Sequence, residues 1–183
     1  MTEMESISTK EDILAGSEKI FGRLLEYCNQ LPDEVFFAVP AEKWTIAQHV
    51  QHLIISTKMA TAAYAIPKIL VRMVGGKSMH PSLTYNELLI KYERKLADGG
   101  KASGRYIPVQ VQATSRKAVL QRWQKIYAVY LKAIADKWED RQLDQYMVKH
   151  PLLGKITLRE LCFFTIFHTA HHLKGIKKLA MQF

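Results

Sequence analysis

The stretch Thr157-Leu158-Arg159-Glu160-Leu161-Cys162-Phe163-Phe164-Thr165-Ile166-Phe167-His168-Thr169-Ala170-His171-His172 reads as the start and body of a long helix that runs on to Leu179. Thr157-Leu158-Arg159-Glu160 has the form of a capping box, in which the Thr hydroxyl and the carboxylate three residues on each satisfy an otherwise orphaned backbone N–H. From there Leu158, Leu161, Thr165, His168, His172, Gly175 and Leu179 recur at spacings of three and four. That is the seam a helix turns toward its packing partners. His168 and His172 lie one turn apart on it, where apolar side chains ordinarily pack. Buried polar groups destabilise a fold unless they are satisfied, and a divalent metal ion satisfies two imidazoles at once. His171 sits about 100° around the helix from His172, off the seam. A third ligand has to come from another helix.

Three further long helical patterns precede this one. Ser8-Thr9-Lys10-Glu11 reads as a capping box for a helix from about Glu11 to Cys28, with Ile13, Ile20, Phe21, Leu24 and Leu25 as its apolar positions. Leu31-Pro32-Asp33 closes it, and a loop or short turn covers Phe36 to Lys43. Thr45-Ile46-Ala47-Gln48 caps a second helix that carries His49 and His52 toward Ala65. Pro67 kinks or ends that helix, with Ile69-Leu70-Val71 continuing as a separate helical piece. The third long helix starts after Thr114-Ser115 and reaches about Lys137 through Val119, Trp123, Ile126, Tyr127, Tyr130, Leu131 and Ile134.

Between the second and third helices, Gly75-Gly76-Lys77, His80-Pro81, Gly99-Gly100, Gly104 and Pro108 break the chain. A short helix is expected over Tyr85 to Leu96, and Val109-Gln110-Val111-Gln112 is expected as extended loop, with no strand pair anywhere. His80 and His150 each precede a proline and read as loop residues. The fold class expected is all-α: one domain over residues 1–183, an antiparallel four-helix bundle with a long irregular connection between helices two and three. That connection is long enough to cross the bundle.

The 183 residues carry a formal charge of +9, with 48% hydrophobic and 23% charged residues. The basic residues are spread over several helices, which reads as a positively biased solvated surface and not a specific nucleic-acid interface. A small-molecule substrate is the expected partner, and exposed bundle faces leave a homodimer open. Met1-Thr2-Glu3-Met4-Glu5 is polar and acidic, unlike a signal peptide, and no apolar run approaches a membrane span. Cys28 and Cys162 both fall in expected helices, which suits reduced thiols and a cytoplasmic location. Cys162 reads as a small buried apolar residue. Trp44 is expected to pack at a helix start, Trp123 and Tyr130 in the core, and Trp138 at a helix end.

Five of the seven histidines fall in two helical clusters, His49 with His52 and His168 with His171 and His172. Spacing alone leaves the third ligand open between His49 and His52. At this point the sequence resembles a known family. Trp44-Thr45-Ile46-Ala47-Gln48-His49-Val50-Gln51-His52-Leu53 is similar to the second-helix motif of the DinB-like (DinB/YfiT) superfamily, and His150-Pro151-Leu152-Leu153-Gly154-Lys155-Ile156-Thr157-Leu158-Arg159-Glu160 with His168 and His172 resembles its last-helix signature. The resemblance implies a helical bundle holding a divalent metal through His52, His168 and His172, with His49 nearby. Three histidines suit zinc and nickel, with iron also accommodated.

Proteins of that superfamily include metal-dependent transferases that use low-molecular-weight thiols such as bacillithiol or mycothiol. The resemblance therefore implies a thiol S-transferase, the metal lowering the pKa of a bound thiol for attack on an electrophile. The alternatives are a metal-dependent hydrolase and a non-catalytic, stress-related metal-binding protein.

Overall fold

The computed structural model describes residues 7–40, 44–109 and 115–183. Among these, the chain forms α1 (Lys10–Gln30), α2 (Asp33–Phe37), α3 (Ile46–Ala65), α4 (Lys68–Gly75), α5 (Tyr85–Ala97), α6 (Arg116–Lys137), α7 (Asp140–Gln145), β1 (Met147–His150), β2 (Gly154–Thr157) and α8 (Leu158–Ala180). A single 3-10 turn covers Gly104–Tyr106. The fold is all-α apart from one antiparallel hairpin. The capping boxes at Thr45/Gln48 and Thr157/Glu160 form as the sequence predicts. At α1 the cap lies one residue further on, with Thr9 paired to Asp12 instead of Ser8 to Glu11. A fourth box, Thr84 with Glu87, opens α5. Of the expected extended stretch Val109-Gln110-Val111-Gln112, only Val109 lies within the described residues.

The four long helices pack in a closed order, α1 on α6, α6 on α3, α3 on α8 and α8 on α1. Named contacts give their directions. Lys10 Nζ donates to the carbonyls of Ala135 and Trp138, Trp123 Nε1 donates to that of Phe21, and Arg116 reaches those of Cys28 and Asn29, so α1 and α6 are antiparallel. His49 meets His172 while the Tyr64 hydroxyl donates to the Leu158 carbonyl at 2.8 Å, so α3 and α8 are antiparallel too. Arg159 bonds the Ser8 carbonyl and Lys177 lies over the Tyr27 ring, which makes α1 and α8 parallel.

It follows that α3 and α6 are parallel. Their C-termini meet where Lys137 Nζ donates to the Ala65 carbonyl at 2.8 Å. The antiparallel expectation thus holds for two of the four neighbouring pairs. The chain leaves α3 at one end and must re-enter α6 at the other, which is why the connection between them is long.

The seam read on the last helix understates its burial. Every residue of α8 from Leu158 to Thr169 is buried, including Arg159 and Glu160. Solvent reaches the helix only in its second half, at positions such as His171 and Lys174. Arg159 is held by Asp140 and Asp144, and Glu160 accepts from the backbone N–H groups of Thr157 and Leu83, each at 2.8 Å. The second of these bonds ties the approach to α5 onto the start of α8.

The hairpin is the element the sequence reading missed. Its register runs from Met147↔Thr157 to His150↔Gly154, with Gly154 at φ 77° in the turn. Strands of four residues carry too little alternation to be read from sequence. Gly75, at the end of α4, abuts β1 so closely that a Cβ there would lie 1.5 Å from the Met147 carbonyl oxygen. No single described helix is long and apolar enough to cross a membrane, and the α3–α4 pair, which passes by length and composition, is bent by 110°.

Replacing Glu160 with Ala leaves two inward-facing amides without their acceptor. We expect a loss of about 2 kcal/mol, the usual cost of orphaning such donors, measured as a lower urea midpoint for Glu160→Ala. An unchanged midpoint would refute the double-cap role.

Candidate metal centre

The histidines converge where the start of α3 crosses the second half of α8. Antiparallel packing places successive turns of the two helices opposite one another, so His52 faces His168 and His49 faces His172. The Nε2 atoms of His52 and His168 are 3.1 Å apart, and those of His172 and His168 are 3.2 Å apart. One nitrogen from each of the three rings lies within 4.8 Å of the others, and all three residues are buried. Ligands around a tetrahedral zinc at about 2.0–2.1 Å stand roughly 3.3 Å from one another, so this donor set fits one ion.

Hydrogen bonds from outside the triad reach two of its rings, those of His52 and His172. The Tyr106 carbonyl can only accept, so the 2.7 Å contact with His52 Nδ1 places the proton on Nδ1 and leaves Nε2 as a free lone pair. His172 Nδ1 lies 2.9 Å from His49 Nδ1, a contact in which one ring donates and the other accepts. With His172 as donor, its Nε2 is likewise free to ligate. Trp44 stacks on His172 at 6.3 Å with an interplanar angle of 9°, and its ring lies 5.1 Å from that of His52. Phe164 stacks on His168 at 4.7 Å.

Burial dominates the electrostatics. Desolvation pulls His168 and His172 well below the ordinary imidazole pKa, and repulsion among the clustered rings adds to the shift. His52 is lowered by the same desolvation, partly offset by its bond to Tyr106. His49 and His150 are each brought down to about 4, again chiefly by burial. All of these rings are neutral near pH 7, the form that binds metal.

A cavity of about 740 Å³ opens onto the triad. Its walls come from α3 (Ser56, Met59, Ala60, Ala63), from α5 (Tyr92, Leu96), from the segment around Lys101 and Tyr106, from β1 and its turn, and from α8. Gly100 lets that segment pack against the hairpin, since a Cβ there would lie 2.7 Å from Leu152 Cδ1 and 2.5 Å from the Lys95 carbonyl oxygen.

A family model matches residues 18–176, that of the DinB superfamily. The chain belongs to the DinB superfamily. No match was found among curated proteins or among solved structures. Membership and the buried cluster together fit a metal-binding DinB-like protein.

The structure brings together the three residues singled out from sequence, His52, His168 and His172, and places His49 against the back of His172. His171 stays off the triad, exposed at the cavity rim. Two readings change. His150 is no loop residue: it ends β1, lines the cavity, and its Nδ1 accepts from the Leu152 and Leu153 amides at 3.2 and 3.1 Å. Trp44 packs against the histidine rings rather than simply at a helix start.

Trp123 and Tyr130 sit in the core as expected, Trp138 caps the C-terminal end of α6 as expected and is itself buried, and buried Cys162 has its Sγ 3.0 Å from the Tyr64 hydroxyl. The Tyr106 carbonyl had no sequence signal at all, because backbone acceptors carry none. For His150 the available signal was His-Pro-x-x-Gly, a tight-turn pattern in which the histidine can satisfy the turn amides.

His52→Ala, His168→Ala and His172→Ala should each weaken zinc binding by more than about 100-fold, and His49→Phe by about tenfold, the scale of losing a partner behind a ligand. Competition against a chromophoric chelator reads both effects, and equal affinity in all four variants would remove the triad from consideration.

The pH dependence has a definite sign. Histidines whose folded pKa lies near 4 and whose unfolded pKa is about 6.5 take up protons only on unfolding within that window. Stability of the metal-free protein is therefore complete above pH 6.5 and falls as pH drops toward 4. Each of His49 and His150 contributes roughly 1 kcal/mol per pH unit there. Thermal unfolding of chelator-treated protein between pH 7 and 4.5 checks this, and a flat profile would contradict it.

Proposed function

We propose that this protein is a metal-dependent thiol S-transferase, with a divalent ion held by His52, His168 and His172 and a small electrophilic substrate held in the adjoining cavity. The observation that carries the reading is the convergence of three neutral imidazole nitrogens at the wall of a cavity large enough for a small organic molecule. When bound, the ion supplies a Lewis-acid position that lowers the pKa of a thiol or water placed on it.

The chain's own residues do the rest. Tyr106 and His49 hold two of the ligand rings in register from behind. Trp44 and Phe164 cover the rings of His172 and His168 and restrict water at the triad. Three uncharged ligands leave the ion's charge uncompensated, which favours an anionic fourth partner such as a thiolate.

The nucleophilic thiol must come from outside the chain. Cys28 and Cys162 are both buried, neither lines the cavity, and burial pushes their thiols up to about 12 and about 11. A low-molecular-weight thiol cofactor supplies what these residues cannot. The same two free, buried thiols support a reducing, cytoplasmic setting.

The test is zinc- or nickel-loaded protein incubated with bacillithiol, mycothiol or another small thiol and a panel of alkylating electrophiles. Consumption of thiol should follow the metal content and fall at least about 100-fold in His168→Ala, the loss expected for a group acting on the reacting atoms. Turnover of esters or amides without thiol would point to hydrolysis. No turnover of either kind by metal-loaded protein would leave a non-catalytic metal binder.

A further inference from the structure

The helix α4 turns its apolar side outward. Val71 and Gly75, one turn apart, are its buried residues, and the helix packs on β1. At about 100° per residue, Ile69, Leu70, Met73 and Val74 fill an arc of about 140° on the other side. They are 60%, 45%, 74% and 83% exposed, and Ile66 just before the helix is 40% exposed. Lys68 and Arg72 occupy the strip between the packed side and this arc. A surface helix ordinarily faces its apolar residues to the core, so a contiguous outward apolar face marks an interaction surface.

The rim of that face is basic. No Asp or Glu occurs from Lys43 to Asn86. At one end of α4, Lys137 Nζ donates to the Ala65 carbonyl at 2.8 Å, next to Ile66. At the other end, Lys155 Nζ lies 3.6 Å from where a Cβ on Gly76 would stand. Lys149 is directly opposite Lys155 in the hairpin, both exposed, and Lys77 bridges to Tyr146 at the hairpin's start. Among the described residues, no carboxylate pairs with Arg72, Lys77, Lys149 or Lys155. The acids around α7, which reaches α4 through the Lys68–Gln142 bond, are already engaged: Asp140 and Asp144 by Arg159, and Glu139 by Arg141.

We propose that α4 docks this protein onto an anionic lipid bilayer, with Ile69, Leu70, Met73 and Val74 entering the interfacial layer and Arg72, Lys77 and Lys155 meeting lipid phosphates. Interfacial helices combine these two features, an apolar face at the headgroup boundary and basic residues beside it. Attachment is peripheral, since eight residues are too few to span a bilayer. A second copy of the chain fits less well. A two-fold contact through α4 would set Arg72, Lys77 and Lys155 close to their own copies. Stable protein interfaces also take about 20–30 residues a side, more than this helix offers.

The experiment is cosedimentation of the full chain with vesicles of pure phosphatidylcholine and with vesicles of two parts phosphatidylcholine to one part phosphatidylglycerol. Partition should be at least about tenfold stronger on the anionic vesicles, the scale of a few basic side chains near the surface, and should weaken as salt is raised. The double variant M73Q/V74Q leaves net charge and helix propensity nearly unchanged while removing two exposed apolar side chains. It should lose about tenfold in partition, the scale of two partly buried side chains. R72Q/K155Q should lose a similar factor on anionic vesicles and nothing on neutral ones. All four residues are exposed, and unchanged urea midpoints confirm that both variants keep the fold.

Wild-type partition kept in M73Q/V74Q overturns the proposal, because binding is then unspecific adsorption of a protein of charge +9. Equal partition onto both vesicle types, or none onto either, overturns it as well. So does a dimer in sedimentation equilibrium that dissociates in M73Q/V74Q, which would make this face a contact between copies.

Discussion

The burial of α8 is the constraint on which the rest of the molecule depends. A helix that gives up solvent on every side over its first three turns must be met on every side, and α1, α3, α5, α7 and β2 all pack against it. That enclosure explains why its polar residues are so fully partnered. Arg159 has two carboxylates and two carbonyls, and Glu160 has two backbone amides. Unpartnered charges there would cost several kcal/mol each, enough to offset much of the net stability of a domain of this size.

The same enclosure sets the chemistry of the second half of the helix. Imidazoles desolvated to this degree stay neutral well below pH 7; hydrogen bonds from behind hold the rings of His52 and His172, and stacking on Phe164 holds that of His168. Burial alone would yield a strained polar cluster. Burial with Tyr106 and His49 in place yields a donor set suited to a divalent ion.

The long connection between α3 and α6 follows from helix direction. Because those helices run parallel, the chain must travel back along their length, and it uses the journey to build α5 and the segment that walls the cavity. The histidine cluster and part of the cavity wall beside it thus come from different parts of the sequence. The histidines lie on two capped helices that also wall the cavity on one side, and the remaining walls come from α5, the hairpin and glycine-punctuated connections where packing rather than periodicity decides the path.

That division accounts for what could be read in advance. Helix boundaries at Thr45 and Thr157 were legible because a capping box is a local hydrogen-bond pattern with a fixed spacing. His168 and His172 were legible because a helical turn brings residues four apart to one face. Choosing His52 over His49 took the family motif, since residues three apart share a face and spacing cannot rank them.

Helix directions, the hairpin, the carbonyl of Tyr106 and the place of His150 in the cavity were decided only by tertiary structure. Each depends on contacts between segments far apart in the chain, and a sequence records such contacts only as side chains whose partners are not yet known. The sequence by itself determined an all-α chain with three histidines on two helices. The packing of those helices decided that the three nitrogens meet, and what kind of chamber they meet in.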